Sequence, residues 1–303
     1  MKKTFRIPLY IGLSILFLLA ANACSQTETA ATATHPLPSP TASASPTLAP
    51  SATPTPPPTP TFTPSPQPTP TWTTYEQGDL VEAPILLYHQ INDENGEARY
   101  VVKIEDFAAQ MQALDDWGYT TIPISMLERV IRKGGKLPPR PVVITFDDGH
   151  LDNYTNALPI LKAHDFTAVI YIVASRFNSE GFVNVEQLEE LIAAGWEIGS
   201  HSYSHIDLTL DHSVANHEIK QSRFDIAKVL DFDIRTFAYP FGKFDSYLGT
   251  KVYDSGYKAA VGLGPSWKHS QSTLFYLSRI EIHGGWSIEQ FGAVLPWSKP
   301  AGE

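Results

Sequence analysis

Between Pro36 and Pro70 the chain carries 14 of its 25 prolines, interleaved mainly with Thr, Ser and Ala. Each proline fixes φ and lacks a backbone N–H, so this stretch can build neither a sheet ladder nor a packed core. It is expected to be an extended spacer, reaching roughly 115 Å from Pro36 to Trp72 at about 3.1 Å per residue. Folding of the 303-residue chain is therefore left to residues 75–303, enough for one domain with a substantial core. Charge divides in the same way. Residues 1–73 hold only Lys2, Lys3, Arg6 and Glu28, which leaves 19 basic and 31 acidic residues beyond them, a net of −12. So acidic a domain is not expected to bind nucleic acid, since little in its composition would neutralise phosphates. No protein partner is predicted.

Lys2, Lys3 and Arg6 precede an uncharged run, residues 7–23, that is rich in Ile and Leu and ends in small residues. A basic start and a short apolar run read as an export signal over 1–23, at the short limit for a spanning helix. Ala21-Asn22-Ala23 supplies a small-residue cleavage site, and Cys24, the single cysteine, follows at once. That position resembles the lipid-modified cysteine of bacterial lipoproteins, although Ala21 stands where a Leu is usual. Residues 24–74 are thus read as an anchor on Cys24 plus a disordered linker, with plain secretion and an uncleaved anchor as alternatives. Each version places the folded domain outside the cytoplasm. One cysteine also excludes an internal disulfide framework and any Cys-rich zinc site.

From Leu80 onward, apolar runs alternate with amphipathic segments. Ala83 to His89 predicts a first buried strand. Phe107, Met111, Leu114 and Trp117 share one helical face, Gly118 closes that helix, and Tyr119 to Ile122 follows as a strand. The same joint recurs at Gly195 before Trp196-Glu197-Ile198, and at Gly256 before Tyr257 to Val261. A helix closed by Gly and followed by a short apolar strand is the return half of a βαβ unit. Pro141 to Phe146 is nearly uninterrupted in its apolar character, as in a strand covered on both faces. About seven such strands predict a parallel α/β architecture, and periodicity alone leaves barrel and open sheet undecided.

In parallel α/β folds the working groups gather at the carboxyl ends of strands. Three such ends carry unusual residues: Thr145-Phe146-Asp147-Asp148-Gly149, His201-Ser202-Tyr203-Ser204-His205, and Phe237-Ala238-Tyr239-Pro240-Phe241-Gly242. An Asp-Asp-Gly turn alone is ordinary turn chemistry. Two imidazoles four residues apart would share a face if one helical turn carried them, and both could then grip one metal. A carboxylate and two imidazoles make a three-ligand set with room for water, and a second carboxylate is left free as a base.

The order and spacing of these segments resemble the polysaccharide deacetylase family (the NodB-homology enzymes of carbohydrate esterase family 4) over roughly residues 82–295. TFDDG and H-[ST]-x-x-H match without gaps. Leu86-Leu87-Tyr88-His89-Gln90-Ile91, Asp152-Asn153-Tyr154 and the FAYPFG string look like the branch containing poly-N-acetylglucosamine deacetylases. The resemblance implies a single distorted (β/α)7 barrel holding one divalent metal ion, Zn²⁺ by preference, on Asp148, His201 and His205. It implies Asp147 as general base toward water, and the backbone N–H of Phe241, with Tyr239, as oxyanion and substrate contacts. The partner would be an acetylated polysaccharide, peptidoglycan, poly-N-acetylglucosamine or a chitin-like oligomer, losing its N-acetyl groups. An O-acetyl esterase of the xylan type and an inactive glycan-binding lipoprotein are the alternatives.

The match has gaps. Family members with the better-known third motif place an Arg beside the base, where this chain has Ala238, and Arg279 is the candidate replacement. The fourth, aspartate-tryptophan motif is not recognisable, and Ile280-Glu281-Ile282-His283 fits the fifth only loosely. His283 is the candidate general acid, with His89 as its competitor. His150 is read as pocket lining, His164, His212, His217 and His269 as solvated, and Trp267 and Trp286 as candidate sugar platforms.

Overall fold

Seven short parallel strands follow one another around a ring, in the order in which the chain makes them. They are β1 (Ile85–Tyr88), β3 (Pro141–Phe146), β4 (Val169–Ile172), β5 (Glu197–Ser200), β6 (Thr236–Ala238), β7 (Ala259–Val261) and β8 (Ile280–Glu281), while β2 (Thr120–Thr121) lies beside the start of β3. The computed structural model describes residues 71–299, apart from Asn95 and Ala98. The predicted signal segment, Cys24 and the proline-rich spacer up to residue 70 lie outside the described residues.

β3 shows why the sequence folds this way. Its six residues are all buried, and Pro141 costs no ladder bond because it stands first. Val142, Ile144 and Phe146 pack into the cluster shared with the helices, whereas Val143 belongs to the interior cluster. This period of two places Thr145 on the inward side and hands the same direction on to Asp147. The helical layer is anchored by residues spaced as predicted. Phe107, Met111 and Leu114 are buried on α1 (Ile104–Asp116), and Leu188 and Leu191 on α3 (Val185–Ala193). Trp117 lies just past α1 and stacks on Phe291.

Whether the sheet stays open or closes is decided by residues 277–282. On one edge Leu277 N–H donates to the Ala260 carbonyl (2.8 Å) and Gly262 N–H to that of Leu277 (2.9 Å). On the other, β8 pairs with β1 and Ile282 N–H donates to the Leu87 carbonyl (2.9 Å). One segment thus joins both edges of the curled sheet, giving the distorted barrel. The strand carboxyl ends open together on one side, and the strand starts define the other.

His269, expected in solvent, is instead 1% exposed, and its Nε2–H donates to the Ala83 carbonyl at 2.9 Å. Burial lowers its pKa from 6.5 to about 4. The folded form therefore holds the neutral ring, and the unfolded chain takes up the proton first as pH falls. Stability is complete above pH 6.5 and declines between 6.5 and 4, by about 3 kcal/mol in total. Urea unfolding at pH 7 and pH 5 should show a loss about 2 kcal/mol smaller in His269→Gln than in the parent. Equal losses in both would place the sensitivity elsewhere. His164 is half-buried against Asp115, while His212 and His217 are exposed, His212 being paired with Asp245.

Candidate active site

Asp147 extends the β1–β3 ladder by donating its N–H to the Tyr88 carbonyl at 3.0 Å, so its side chain stays directed inward. Asp148 (φ 71°) and Gly149 (φ 80°) then turn back in the left-handed region. A Cβ at Gly149 would come within 3.0 Å of Ile172 Cγ2, so glycine meets both the φ and the space required. The two carboxylates leave one turn in different directions, and that separates their surroundings.

His201 likewise continues a ladder, its N–H donating to the Ile172 carbonyl at 2.8 Å. No helical turn carries residues 201–205. The segment is an irregular loop with Ser202 at φ 65° and His205 at φ 61°, and it brings the imidazoles to 4.8 Å between centroids. Glu218 supplies the reason. Its buried carboxylate accepts from Tyr203 N–H (3.0 Å), Ser204 N–H (2.8 Å) and Ser204 Oγ–H (2.6 Å). Backbone donors satisfied by a buried carboxylate offset the cost of strained loop geometry. The sequence marked Glu218 only by its place on a buried helical face with Ala215, Ile219 and Ser222. Glu218→Gln is expected to weaken binding of a divalent metal by the two imidazoles by about 10- to 100-fold, the usual cost of disturbing the groups that orient ligands. Competition against a chromophoric chelator measures it, and unchanged affinity would show that the loop keeps its shape unaided.

One oxygen of Asp148 and one nitrogen each of His201 and His205 lie within 4.8 Å of one another. His201 Nδ1–H donates to the Ala238 carbonyl at 2.9 Å, which leaves its Nε2 lone pair for the cluster. Asp148 Oδ1 is buried with no hydrogen-bond partner. An orphaned carboxylate oxygen beside two imidazoles is the donor set a divalent cation satisfies, so the residues present fit a metal. His150 Nε2 stands 3.5 Å from Asp148 Oδ2. Burial would raise the Asp148 pKa, but His150, His201 and His205 outweigh it and hold the carboxyl well below the usual range. Burial, with His201 alongside, brings His205 down to about 4, leaving the ring neutral at pH 7.

Asp147 belongs to a second unit. Arg279 reaches it with two parallel bonds, Nη1–H to Oδ1 and Nη2–H to Oδ2, both 2.7 Å. Both residues are buried, and the guanidinium also meets the Gly262 carbonyl (3.1 Å), Thr145 Oγ1 (3.3 Å) and the Tyr171 ring. Burial would raise the Asp147 pKa, but Arg279 and His201 override it and the carboxyl titrates below its ordinary value. His201 Nε2 lies 3.6 Å from Asp147 Oδ2, so the base candidate and the metal cluster adjoin.

A cavity of about 590 Å³ opens above these groups and is also lined by His89, His150, Phe241 and Glu281. His89 is half-buried, its buried Nδ1 has no hydrogen-bond partner, and desolvation lowers its pKa, so the ring is neutral at pH 7. Phe241 (φ 59°) sets its ring 4.7 Å from that of His205. Two expected contacts lie elsewhere. Tyr239 is buried beneath the site with its hydroxyl donating to the Phe275 carbonyl at 3.0 Å, and burial pushes its pKa up. His283 points away along the rim, where its Nε2 meets Glu281 Oε2 at 3.2 Å and its ring rests on Trp286. Neither lines the cavity, nor do Trp267 and Trp286. Sequence pattern gave no cue to Tyr100, which does line it and packs edge-on to His89.

Fold and site together define a class: an α/β-barrel hydrolase with a metal-type Asp-His-His cluster beside a buried, Arg-paired carboxylate. The polysaccharide deacetylase family model matches residues 134–260. YxkH of Bacillus subtilis, assigned to the polysaccharide deacetylases, is 28% identical over 70% of this chain and 75% of its own length. A poly-beta-1,6-N-acetyl-D-glucosamine N-deacetylase of Staphylococcus epidermidis is 30% identical over 47% of this chain, which spans 54% of that protein. Among solved structures, the Streptococcus pyogenes deacetylase PplD, in complex with acetate, superposes with a TM-score of 0.65 at 26% identity, covering 72% of this chain and 99% of PplD. A polysaccharide deacetylase from Bacillus cereus gives 0.64 at 26% identity, over 71% of this chain and 69% of that one. Over residues 134–260 the match is to the polysaccharide deacetylase family, and fold, site and named relatives agree on a hydrolase acting on amide bonds.

Proposed function

We propose that this protein removes N-acetyl groups from an N-acetylglucosamine-containing polysaccharide outside the cytoplasm, with Zn²⁺ as its metal. The observation that carries it is the Asp148-His201-His205 cluster set directly beside the buried Asp147–Arg279 pair. The poly-N-acetylglucosamine deacetylases among its relatives support the substrate class. The basic and apolar amino terminus ending at Cys24 supports export and a lipid anchor.

Asp148, His201 and His205 would hold the cation. When bound, it supplies Lewis acidity toward the acetyl carbonyl and makes hydroxide available near neutral pH. Asp147 accepts the proton of the attacking water, and Arg279 keeps it ionised and aimed. The backbone N–H of Phe241, at the mouth of the cavity, donates to the developing oxyanion, a contact typically worth about 3 kcal/mol. His89 is favoured over His283 for delivering a proton to the departing amine, because it lines the cavity and His283 does not. In the free protein its ring is neutral, so it acts after taking up a proton during turnover.

Acetate release from N-acetylglucosamine oligomers by metal-depleted protein, with and without added Zn²⁺, is the direct test. Activity is expected only with metal. Full activity without metal would sink the cluster as a metal site. Faster release from O-acetylated xylan would reassign the bond, and glycan binding without any acetate would leave a binding protein.

A further inference from the structure

At the barrel end opposite the catalytic cavity, a second cavity of about 680 Å³ is walled by Arg129, Arg132, Lys133, Arg235 and Lys258 against only two carboxylates, Glu128 and Asp254. Arg235 and Lys258 immediately precede β6 and β7, and the other three come from α2 (Ile124–Lys133), including its last residues. Asp233 also pairs with Arg235 at 3.5 Å, which leaves a local excess of two positive charges, still not what so acidic a composition leads one to expect.

The cations fall into two sets. Glu128, 4% exposed, accepts from Arg132 Nε–H at 2.7 Å and from Arg235 Nη2–H at 3.3 Å. Arg132 is further fixed by Nη2–H donating to the Lys258 carbonyl at 2.6 Å. Two guanidiniums are thereby held in place by one buried carboxylate. Arg129, Lys133 and Lys258 are exposed around them and make no ion pair among the described residues. Like charges gathered in a concave wall repel one another, and an anion relieves that repulsion. Guanidinium forks and ammonium points both bind phosphate oxygens, and five cations around one concave wall suit a polymer that repeats such a charge.

We propose that this cleft is a second, non-catalytic site that binds the phosphate groups of an anionic polymer. The domain's first strand, Thr73–Tyr75, pairs with Gly135–Leu137 directly after α2, and Gln77 Nε2–H donates to the Arg132 carbonyl. The chain therefore enters the folded unit beside this cleft, while substrate enters at the opposite end. A polymer held here would not compete with a glycan in the catalytic cavity. The concave wall favours a flexible polymer over a planar bilayer.

The test is titration of the full chain with inorganic polyphosphate at two salt concentrations, monitored by calorimetry. Binding that weakens with salt is expected, and the triple variant Arg129→Ser, Lys133→Ser, Lys258→Ser should lose about tenfold or more in affinity. The matched variant Lys162→Ser, Lys220→Ser, Lys228→Ser, on other faces, should bind like the parent. Both variants should release acetate from neutral oligomers at the parent rate, which separates failure of this site from failure of the deacetylase assignment. No polyphosphate binding, or equal loss in both triple variants, overturns the proposal. So does charge-dependent binding seen only on phosphatidylglycerol over phosphatidylcholine vesicles, or a preference for oligonucleotide over polyphosphate.

Discussion

Asp147→Asn is expected to reduce kcat for acetate release by a factor of about 10² to 10⁴, the usual contribution of a positioned general base. Asparagine keeps the shape of the side chain and one acceptor for Arg279, so folding should survive and zinc affinity should change little. The informative measurement is therefore a paired one, zinc titration together with steady-state kinetics. A rate within a factor of a few of the parent, with zinc bound, would remove Asp147 from the proton-transfer step. A lost rate accompanied by lost zinc would instead make it part of the metal cluster, which adjoins it through His201 at 3.6 Å.

Arg279→Ala carries the largest expected cost to the fold. Its removal leaves the Asp147 carboxylate buried with no opposing guanidinium, and breaking such a pair typically destabilises by about 3–5 kcal/mol. The Gly262 carbonyl and the Tyr171 ring lose their contact as well. Activity should change in a second way. Burial already pushes Asp147 upward and Arg279 is its strongest opponent, so the acid limb of the kcat/KM profile should move to higher pH. Arg279→Lys preserves the charge without the two-pronged geometry and should recover part of the stability and most of the pH profile. Denaturant unfolding with a pH–rate series reads both effects. A variant as stable as the parent with an unmoved acid limb would show that Asp147 does not depend on Arg279.

The site was unevenly legible in the sequence, for a physical reason. Asp147, Asp148, His201 and His205 sit at strand ends within short motifs, where local spacing and chemistry carry the signal. Arg279 immediately precedes β8, far along the chain, and only closure of the ring by residues 277–282 makes it a neighbour of Asp147. Ala238, which looked like a missing cation, has a use of its own through its backbone carbonyl, which fixes the tautomer of His201. Side-chain pattern cannot report a backbone acceptor. The imidazoles converge through a left-handed loop built around Glu218 and not through a helical turn, because a buried carboxylate satisfies the loop's N–H groups. His283 and Tyr239 carried suitable chemistry, yet the first was turned to the rim and the second sealed below the cavity.

The proline cluster by itself predicted a spacer standing apart from the core, and apolar periodicity determined a parallel α/β domain after it. Both follow from local covalent and hydrophobic constraints, which act over a few residues and so can be read along a line. Three-dimensional packing decided the rest: barrel over open sheet, Arg279 as partner of Asp147, His89 over His283 at the cavity, and neutral burial for His269. It also decided where charge gathers. The domain's net of −12 is a sum along its sequence, whereas a field depends on distance, and folding brings five cations around one cleft that no count could locate.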